Sequence, residues 1–185
     1  SFIKDISGLN YRLAGEVIGA ADEVVPMILK GGGIKNTLII SPPGAGKTTM
    51  LRDIVRQLSY KSYRVSVVDE RSEIAALCEG RSAFDLGFST DVLEGVDKAE
   101  GMLMVLRSMS PDVIVTDEIG KQSDIDAIER ITNSGAAVIA TIHGRNIDMI
   151  KRRDDLKRML KFFDLIITLS KRKGIGTVEE ALTEW

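Results

Sequence analysis

A chain of 185 residues with 44% hydrophobic side chains is long enough for one core of ordinary size, and reads as a single domain. Its 25 Lys and Arg against 27 Asp and Glu leave a formal charge of −2, so overall charge asks for neither nucleic acid nor anionic lipid, although a local basic stripe stays open. One cysteine, Cys78, excludes an internal disulfide and suits a reducing compartment, and no apolar run approaches the roughly 18 residues of a membrane span.

Cys78 reads better as a small buried side chain than as a nucleophile. The N-terminus has no charged segment leading into an apolar signal core, so a soluble, cytosolic chain is expected. Its start at Ser1 rather than methionine suggests a trimmed piece of something longer.

Taken in order, Leu9, Tyr11 and Leu13 alternate with Asn10, Arg12 and Ala14 and predict an opening strand or hairpin. A helix is expected from about Ala20 to Leu29, ended by Gly31-Gly32-Gly33, with Pro26 as a kink or a later start. Thr37-Leu38-Ile39-Ile40 is a buried strand. Leu51, Ile54, Val55 and Leu58 then stand at helical spacing. Arg64 to Val68 is a second short strand, and it runs into Asp69-Glu70-Arg71-Ser72-Glu73.

Residues 79–95 are rich in Gly, Ser and acid and read as a long functional loop or short strands. Next come a helix at about Asp97 to Met109, a strand at Val113 to Thr116, a helix at about Ser123 to Asn133 and a strand at Ala137 to Thr141. A helix at about Ile147 to Leu160, a strand at Leu165 to Leu169 and a turn at Gly174-Ile175-Gly176 complete the pattern. The Lys151 to Lys161 stretch, interrupted by Asp154 and Asp155, is the wet face of that helix rather than a basic patch. Strands alternating with helices of this length imply parallel crossovers and a three-layer α/β/α sandwich around a mainly parallel sheet. Residues 1–33 form an extension and residues 34–185 the core.

Between the first buried strand and its helix lies Ser41-Pro42-Pro43-Gly44-Ala45-Gly46-Lys47-Thr48-Thr49. A phosphate loop must leave a strand and open a helix, and this segment does both. Pro43, Gly44, Ala45, Gly46, Lys47, Thr48 and Thr49 are therefore expected to cradle the phosphates of ATP. The glycines let backbone N–H groups approach the oxygens, Lys47 reaches the β and γ phosphates, and the Thr48 hydroxyl holds Mg²⁺. The helix N-terminus adds partial positive charge. Ser41 stands where G-x-x-x-x-G-K-[ST] has its first glycine, and a left-handed backbone there would cost serine about 1–2 kcal/mol.

Ligands of open parallel sheets bind at the carboxyl ends of strands, where three further groups collect. Asp117 and Glu118 follow Val113 to Thr116: Asp117 takes the metal role with Thr48, and Glu118 the base that polarises the attacking water. Alone, such a pair is an ordinary polar loop start; beside Lys47 and Thr48 the catalytic reading is favoured. His143, the single histidine, follows another strand and is either a surface residue or a sensor of the γ-phosphate. Asp69, Glu70 and Glu73 either hold the metal's outer shell or an adenosine hydroxyl, or are solvated acids paired with Arg71. Arg71, Arg81 and Arg145 are candidates for an arginine acting on a neighbouring subunit's nucleotide.

Several segments resemble the ATPases of type II and type IV secretion. Their acidic box resembles Val68 to Glu73, their second nucleotide motif Pro111 to Glu118, and their histidine box Ala140-Thr141-Ile142-His143. Two positions depart from that pattern, Asp117 in place of Gly and Gly120 where an Arg is usual. A closer resemblance, over about Ile6 to Thr177, is to the stage III sporulation AA family. It rests on Gly19-Ala20-Ala21-Asp22, the phosphate loop, Asp69 to Ile74, Ser110-Pro111-Asp112, Asp117-Glu118-Ile119-Gly120 and Arg172-Lys173-Gly174. That resemblance implies a RecA-like cytoplasmic ATPase on the mother-cell side of a secretion-like channel to the forespore, with membrane proteins of the same operon, which form the sporulation channel complex, as partners. It also implies a hexameric ring, no direct membrane insertion, and an N-terminal domain outside this chain.

Other classes fit less well. A single-strand-binding ATPase would need aromatic platforms in a positive groove, against 5% aromatics and mild acidity here, and no nucleic acid partner is expected. A GTP switch would carry an Asn-Lys-x-Asp signature, and a kinase an acceptor pocket with a lid; neither signal is found.

Overall fold

The computed structural model describes Gly8 and residues 15–185; the alternating segment at Leu9, Tyr11 and Leu13 lies outside them. Its main sheet begins with β1 (Thr37–Ser41), whose short apolar run is buried throughout and so has helices on both faces. Leu38 and Ile40 point to one face and Ile39 to the other, and the same alternation separates Ile114 from Val113 and Val115. Two hydrophobic cores result, one on each side of a single sheet.

The first core is covered by α2 (Lys47–Tyr60), whose Met50, Leu51, Ile54, Val55 and Leu58 pack on the strands, and by the short α1 (Val25–Ile28). The helix expected from Ala20 begins only at Val25, because proline belongs in a first turn and cannot donate within a helix. Around α1, Asp53 of α2 accepts hydrogen bonds from Ala21 N–H at 2.8 Å, Arg56 Nε at 2.8 Å and Gln57 Nε2 at 2.8 Å. Burial works to raise the pKa of Asp53, but the Ala21, Arg56 and Gln57 hydrogen bonds outweigh it and hold the carboxyl below the ordinary carboxylate value. A folded pKa below the unfolded one makes Asp53 stabilising above about pH 4, and the contribution is lost as pH falls through the folded value. Asp53→Ala is expected to lower unfolding free energy by about 2–3 kcal/mol at pH 7, and by less below pH 4, in urea titrations at both pH values.

In chain order the strands continue as β2 (Val65–Asp69), the two-residue pair β3 (Leu77–Cys78) and β4 (Arg81–Ser82), and β5 (Thr90–Glu94). The 79–95 region thus ends in a full strand pairing parallel with β2 at the sheet edge. Cys78 is exposed, contrary to its expected burial, because the β3–β4 hairpin forms its own two-stranded sheet. The second core is covered by α3 (Lys98–Ser108), capped by Asp97, and α4 (Gln122–Ser134), on either side of β6 (Val113–Thr116) in sequence. Gly101 lets α3 lie close to β2: a Cβ there would stand 2.7 Å from Val68 Cγ1.

After β7 (Ala137–His143) the long helix expected over 147–160 is broken into α5 (Ile147–Lys151), α6 (Asp154–Lys157) and a 3₁₀ turn at Arg158–Phe162. Ile150 and Leu156 are both buried yet six positions apart, which one continuous helix would put on different faces. Asp154 and Asp155 restart the helix, since acids favour a first turn. β8 (Leu165–Ser170) and β9 (Thr177–Leu182) close the sheet as an antiparallel pair, β9 being a strand that the pattern alone did not show. Sheet order is β5-β2-β6-β7-β1-β8-β9, parallel except for β9. No helix among the described residues is long and apolar enough to cross a membrane.

Candidate nucleotide site

The order of the sheet brings four strand ends together: β2, β6, β7 and β1 are consecutive neighbours and parallel. Between β1 and α2 the chain turns through Gly44 at φ 67° and Gly46 at φ 95°, left-handed conformations that glycine adopts without a Cβ penalty. α2 then starts at Lys47, so its unpaired N–H groups open onto the loop. Ser41 is the last residue of β1, in register with His143, and is absent from the positive-φ residues. Serine therefore carries none of the strain expected of it there; its hydroxyl donates to the Pro42 carbonyl at 3.0 Å.

A cleft of about 390 Å³ is lined by Pro43, Gly44, Gly46, Lys47, Thr48, Thr49, Glu73 and Glu118. A larger recess of about 740 Å³ lies at the opposite ends of the strands, where Tyr63, Arg64, Asp112 and Ala137 line it. Parallel sheets bind ligands at the carboxyl ends, which selects the smaller cleft.

Across that cleft Lys47 Nζ donates to Glu118 Oε1 at 3.0 Å, while Arg71 Nη1 reaches Glu118 Oε2 at 3.2 Å. The Lys47 hydrogen bond is the chief reason that Glu118 lies below its ordinary value; burial opposes it, and the charges of Lys47, Arg71 and Lys98 add to it. Glu118 itself sits at φ 35°, an uncommon backbone state for a non-glycine residue. Thr141 of β7 holds it there, its hydroxyl accepting Glu118 N–H at 2.9 Å and its carbonyl accepting Ile119 N–H at 2.9 Å. Strain of this kind costs about 1–3 kcal/mol and persists where surrounding contacts over-determine it.

Asp117 goes elsewhere. Its side chain is buried with Lys98, Oδ1 to Nζ at 3.1 Å, at ion-pair distance but without hydrogen-bond alignment. Lys98 also stands 3.7 Å from Glu70 and donates to the Glu118 carbonyl at 3.3 Å. A buried carboxylate needs a compensating cation, and α3 supplies one. The structure thus brings Lys47, Thr48, Glu73 and Glu118 to the cleft and puts Asp117 and Glu70 around Lys98. Lys98 escaped the sequence reading, although a lysine at the first position of a helix opposes the helix dipole and so signals some other partner.

Asp69 is not a solvated acid paired with Arg71. Fully buried, it accepts N–H bonds from Glu73 at 2.9 Å, Ile74 at 2.8 Å and Ala75 at 2.8 Å. Arg52 of α2 fastens the same loop by donating to the carbonyls of Ile74 at 2.8 Å and Glu73 at 2.9 Å. Together they set Glu73 at the cleft. Asp69→Ala should leave three N–H donors without their acceptor, two of them buried, and destabilise the fold by about 3 kcal/mol, measured by urea unfolding.

His143 ends β7 beside Ser41, exposed and outside the cleft lining. Arg81 and Arg145 are exposed; of the three candidate arginines, Arg71 is the one in contact with Glu118 of its own subunit. No group of three or more His, Cys, Asp or Glu among the described residues is placed to hold a metal ion. Thr48 and Thr49 supply the hydroxyls that line the cleft.

Known proteins agree with this architecture. Stage III sporulation protein AA of Bacillus subtilis is 40% identical over 185 residues, covering 96% of this chain and 60% of that protein. The chain thus spans less than two thirds of that relative. Among solved structures, the VirB11 ATPase of the Brucella suis type IV secretion system, in complex with sulphate, is 15% identical with a TM-score of 0.61, over 87% of this chain and 50% of that one. The pilus retraction motor PilT with bound ADP is 20% identical with a TM-score of 0.59, over 80% of this chain and 45% of that one. These two likenesses show the shared RecA-like fold. The family model for sporulation stage III, protein AA matches residues 1–184, and the chain belongs to that family.

Proposed function

We propose that this chain hydrolyses ATP with Mg²⁺ to energise a secretion-like channel complex during sporulation, working as a subunit of a hexameric ring. The observation that carries the reading is the Lys47–Glu118 contact across a glycine cradle at the start of α2. Residues 34–185 are the nucleotide-binding core. The ring and its membrane-protein partners, on the cytoplasmic mother-cell side, are supported by the sporulation relative and by the secretion and pilus motors that share the fold. The sulphate of VirB11 and the ADP of PilT support a phosphate-bearing ligand.

Backbone N–H groups at 44–48 and the Lys47 ammonium bind the phosphate oxygens. As Lys47 turns to the γ-phosphate, Glu118 loses its main partner and becomes free to accept a proton. A water oxygen bonds to the γ-phosphorus, the bond to the β,γ-bridging oxygen breaks, and the water proton passes to Glu118, leaving ADP and phosphate. When bound, Mg²⁺ neutralises charge on the β and γ phosphates, and Thr48 would hold it. Asp117 acts one step back, by anchoring Lys98 beneath Glu118. Glu73 faces the nucleotide, Glu70 steadies Lys98, and His143 senses the γ-phosphate from the neighbouring strand end.

The test is phosphate release together with mass in solution, with and without ATP and Mg²⁺. Mg²⁺-dependent release whose specific activity rises with protein concentration is the expected result. Folded protein that binds no ATP at millimolar concentration would overturn the reading.

A further inference from the structure

β8 runs parallel to β1 as its neighbour, so both strands finish at the same edge of the sheet. Beyond β8 the chain continues as Lys171-Arg172-Lys173-Gly174-Ile175-Gly176 before returning in β9, and this loop rests on the phosphate cradle. Gly176 N–H donates to the Ala45 carbonyl at 3.1 Å. Ile175 Cγ2 lies 3.0 Å from where a Cβ on Gly46 would stand, and Lys171 Nζ lies 2.9 Å from where one on Gly44 would stand. Gly44 and Gly46 are therefore small for two reasons, the turn they make and the loop they admit.

The two lysines at this cradle differ in what binding would cost them. Lys47 must give up Glu118 at 3.0 Å to reach a phosphate. Lys171 is exposed, and its ammonium has no acid or hydrogen-bond partner among the described residues. Arg172 beside it stands 3.9 Å from Glu179. An ammonium above a glycine cradle, uncompensated by any carboxylate, gives up only water when an anion arrives.

We propose that Lys171 is a second phosphate-binding cation, reaching the nucleotide from the β8–β9 loop of the same subunit; this rests on the nucleotide reading above. Its contribution is to ground-state binding, and it draws the triphosphate in before Lys47 leaves Glu118. In the sequence, Gly174-Ile175-Gly176 reads as a turn and Arg172-Lys173-Gly174 carries part of the family resemblance; neither singles out Lys171.

The experiment measures binding of a fluorescent ATP analogue with Mg²⁺ to the whole chain. Variants are Lys171→Ala, Lys171→Arg and Lys171→Glu, with Lys47→Ala as reference and Lys173→Ala as a surface control. Lys171→Ala should weaken binding about 10-fold, Lys171→Arg should restore most of it, and Lys171→Glu should bind more weakly than Lys171→Ala. The affinity should also fall less steeply with salt in Lys171→Ala than in the parent. Parent-like binding by Lys171→Ala and Lys171→Glu, with Lys47→Ala impaired, would overturn the role of Lys171 alone. Equal losses in the Ala and Arg variants with a lowered Tm would reduce Lys171 to a structural residue and overturn it too. If the parent and Lys47→Ala bind equally, or neither binds, the nucleotide reading falls and takes this proposal with it.

Discussion

Glu118→Gln is expected to keep ATP bound while phosphate release falls by about 10²–10⁴-fold, the range that a positioned general base contributes. The amide keeps the shape of the side chain and accepts a hydrogen bond from Lys47, so the backbone held at φ 35° by Thr141 need not move. What it loses is the ability to take a proton. Single-turnover phosphate release separates the two effects: unchanged binding with slow chemistry is the expected outcome, and parental turnover would remove Glu118 from the mechanism. The pH behaviour follows from the same contacts. Lys47, with Arg71 and Lys98 behind it, holds the free protein's Glu118 below the ordinary value of 4.5, so the base stays ionised as pH falls to that point and is lost only further down. NMR titration of the carboxyl carbon should place its midpoint below that value in the parent.

The second large effect is expected from Lys47→Ala, which should weaken ATP binding by about 10–100-fold, as loss of a charge-assisted hydrogen bond does, and abolish measurable hydrolysis. It has a local consequence that a simple loss of affinity would not show. Without its chief partner, Glu118 keeps only the more distant help of Arg71, which is 64% exposed, and of Lys98, so its midpoint in the same NMR titration should move up. Thermal unfolding should change little, because Lys47 and Glu118 stand at the surface of the cleft rather than in either core. An unchanged Glu118 midpoint in Lys47→Ala would mean that the contact does not govern the glutamate.

Both variants touch residues visible in the sequence, whereas the frame around them is less evenly legible. Buried strands were readable because a short run of β-branched and aliphatic residues between turn signals has few other uses, as at Thr37 to Ile40 and Val113 to Thr116. The α3 boundaries were readable because Asp97 accepts N–H bonds from Ala99 and Glu100, a cap that depends on adjacent residues alone. The break in 147–160 was not, since Arg153 and Asp154 decide it only once Ile150 and Leu156 must face the same core. β9 was not either: its Val178 and Leu182 are half-buried on an edge strand and give no strong alternation.

What the chain by itself determined was the α/β class, the buried parallel strands and the glycine turn that leads from β1 into α2 at Lys47, because each depends on neighbours within one turn or one strand. Tertiary structure alone decided the partners of charge. Asp69 became the clasp of the 73–75 loop, Asp117 the counter-ion of buried Lys98, and Lys171 the neighbour of Gly44. The reason is physical: a buried charge takes whichever opposite charge or N–H group the packed strands deliver, and such encounters between distant segments leave no periodic trace in the sequence.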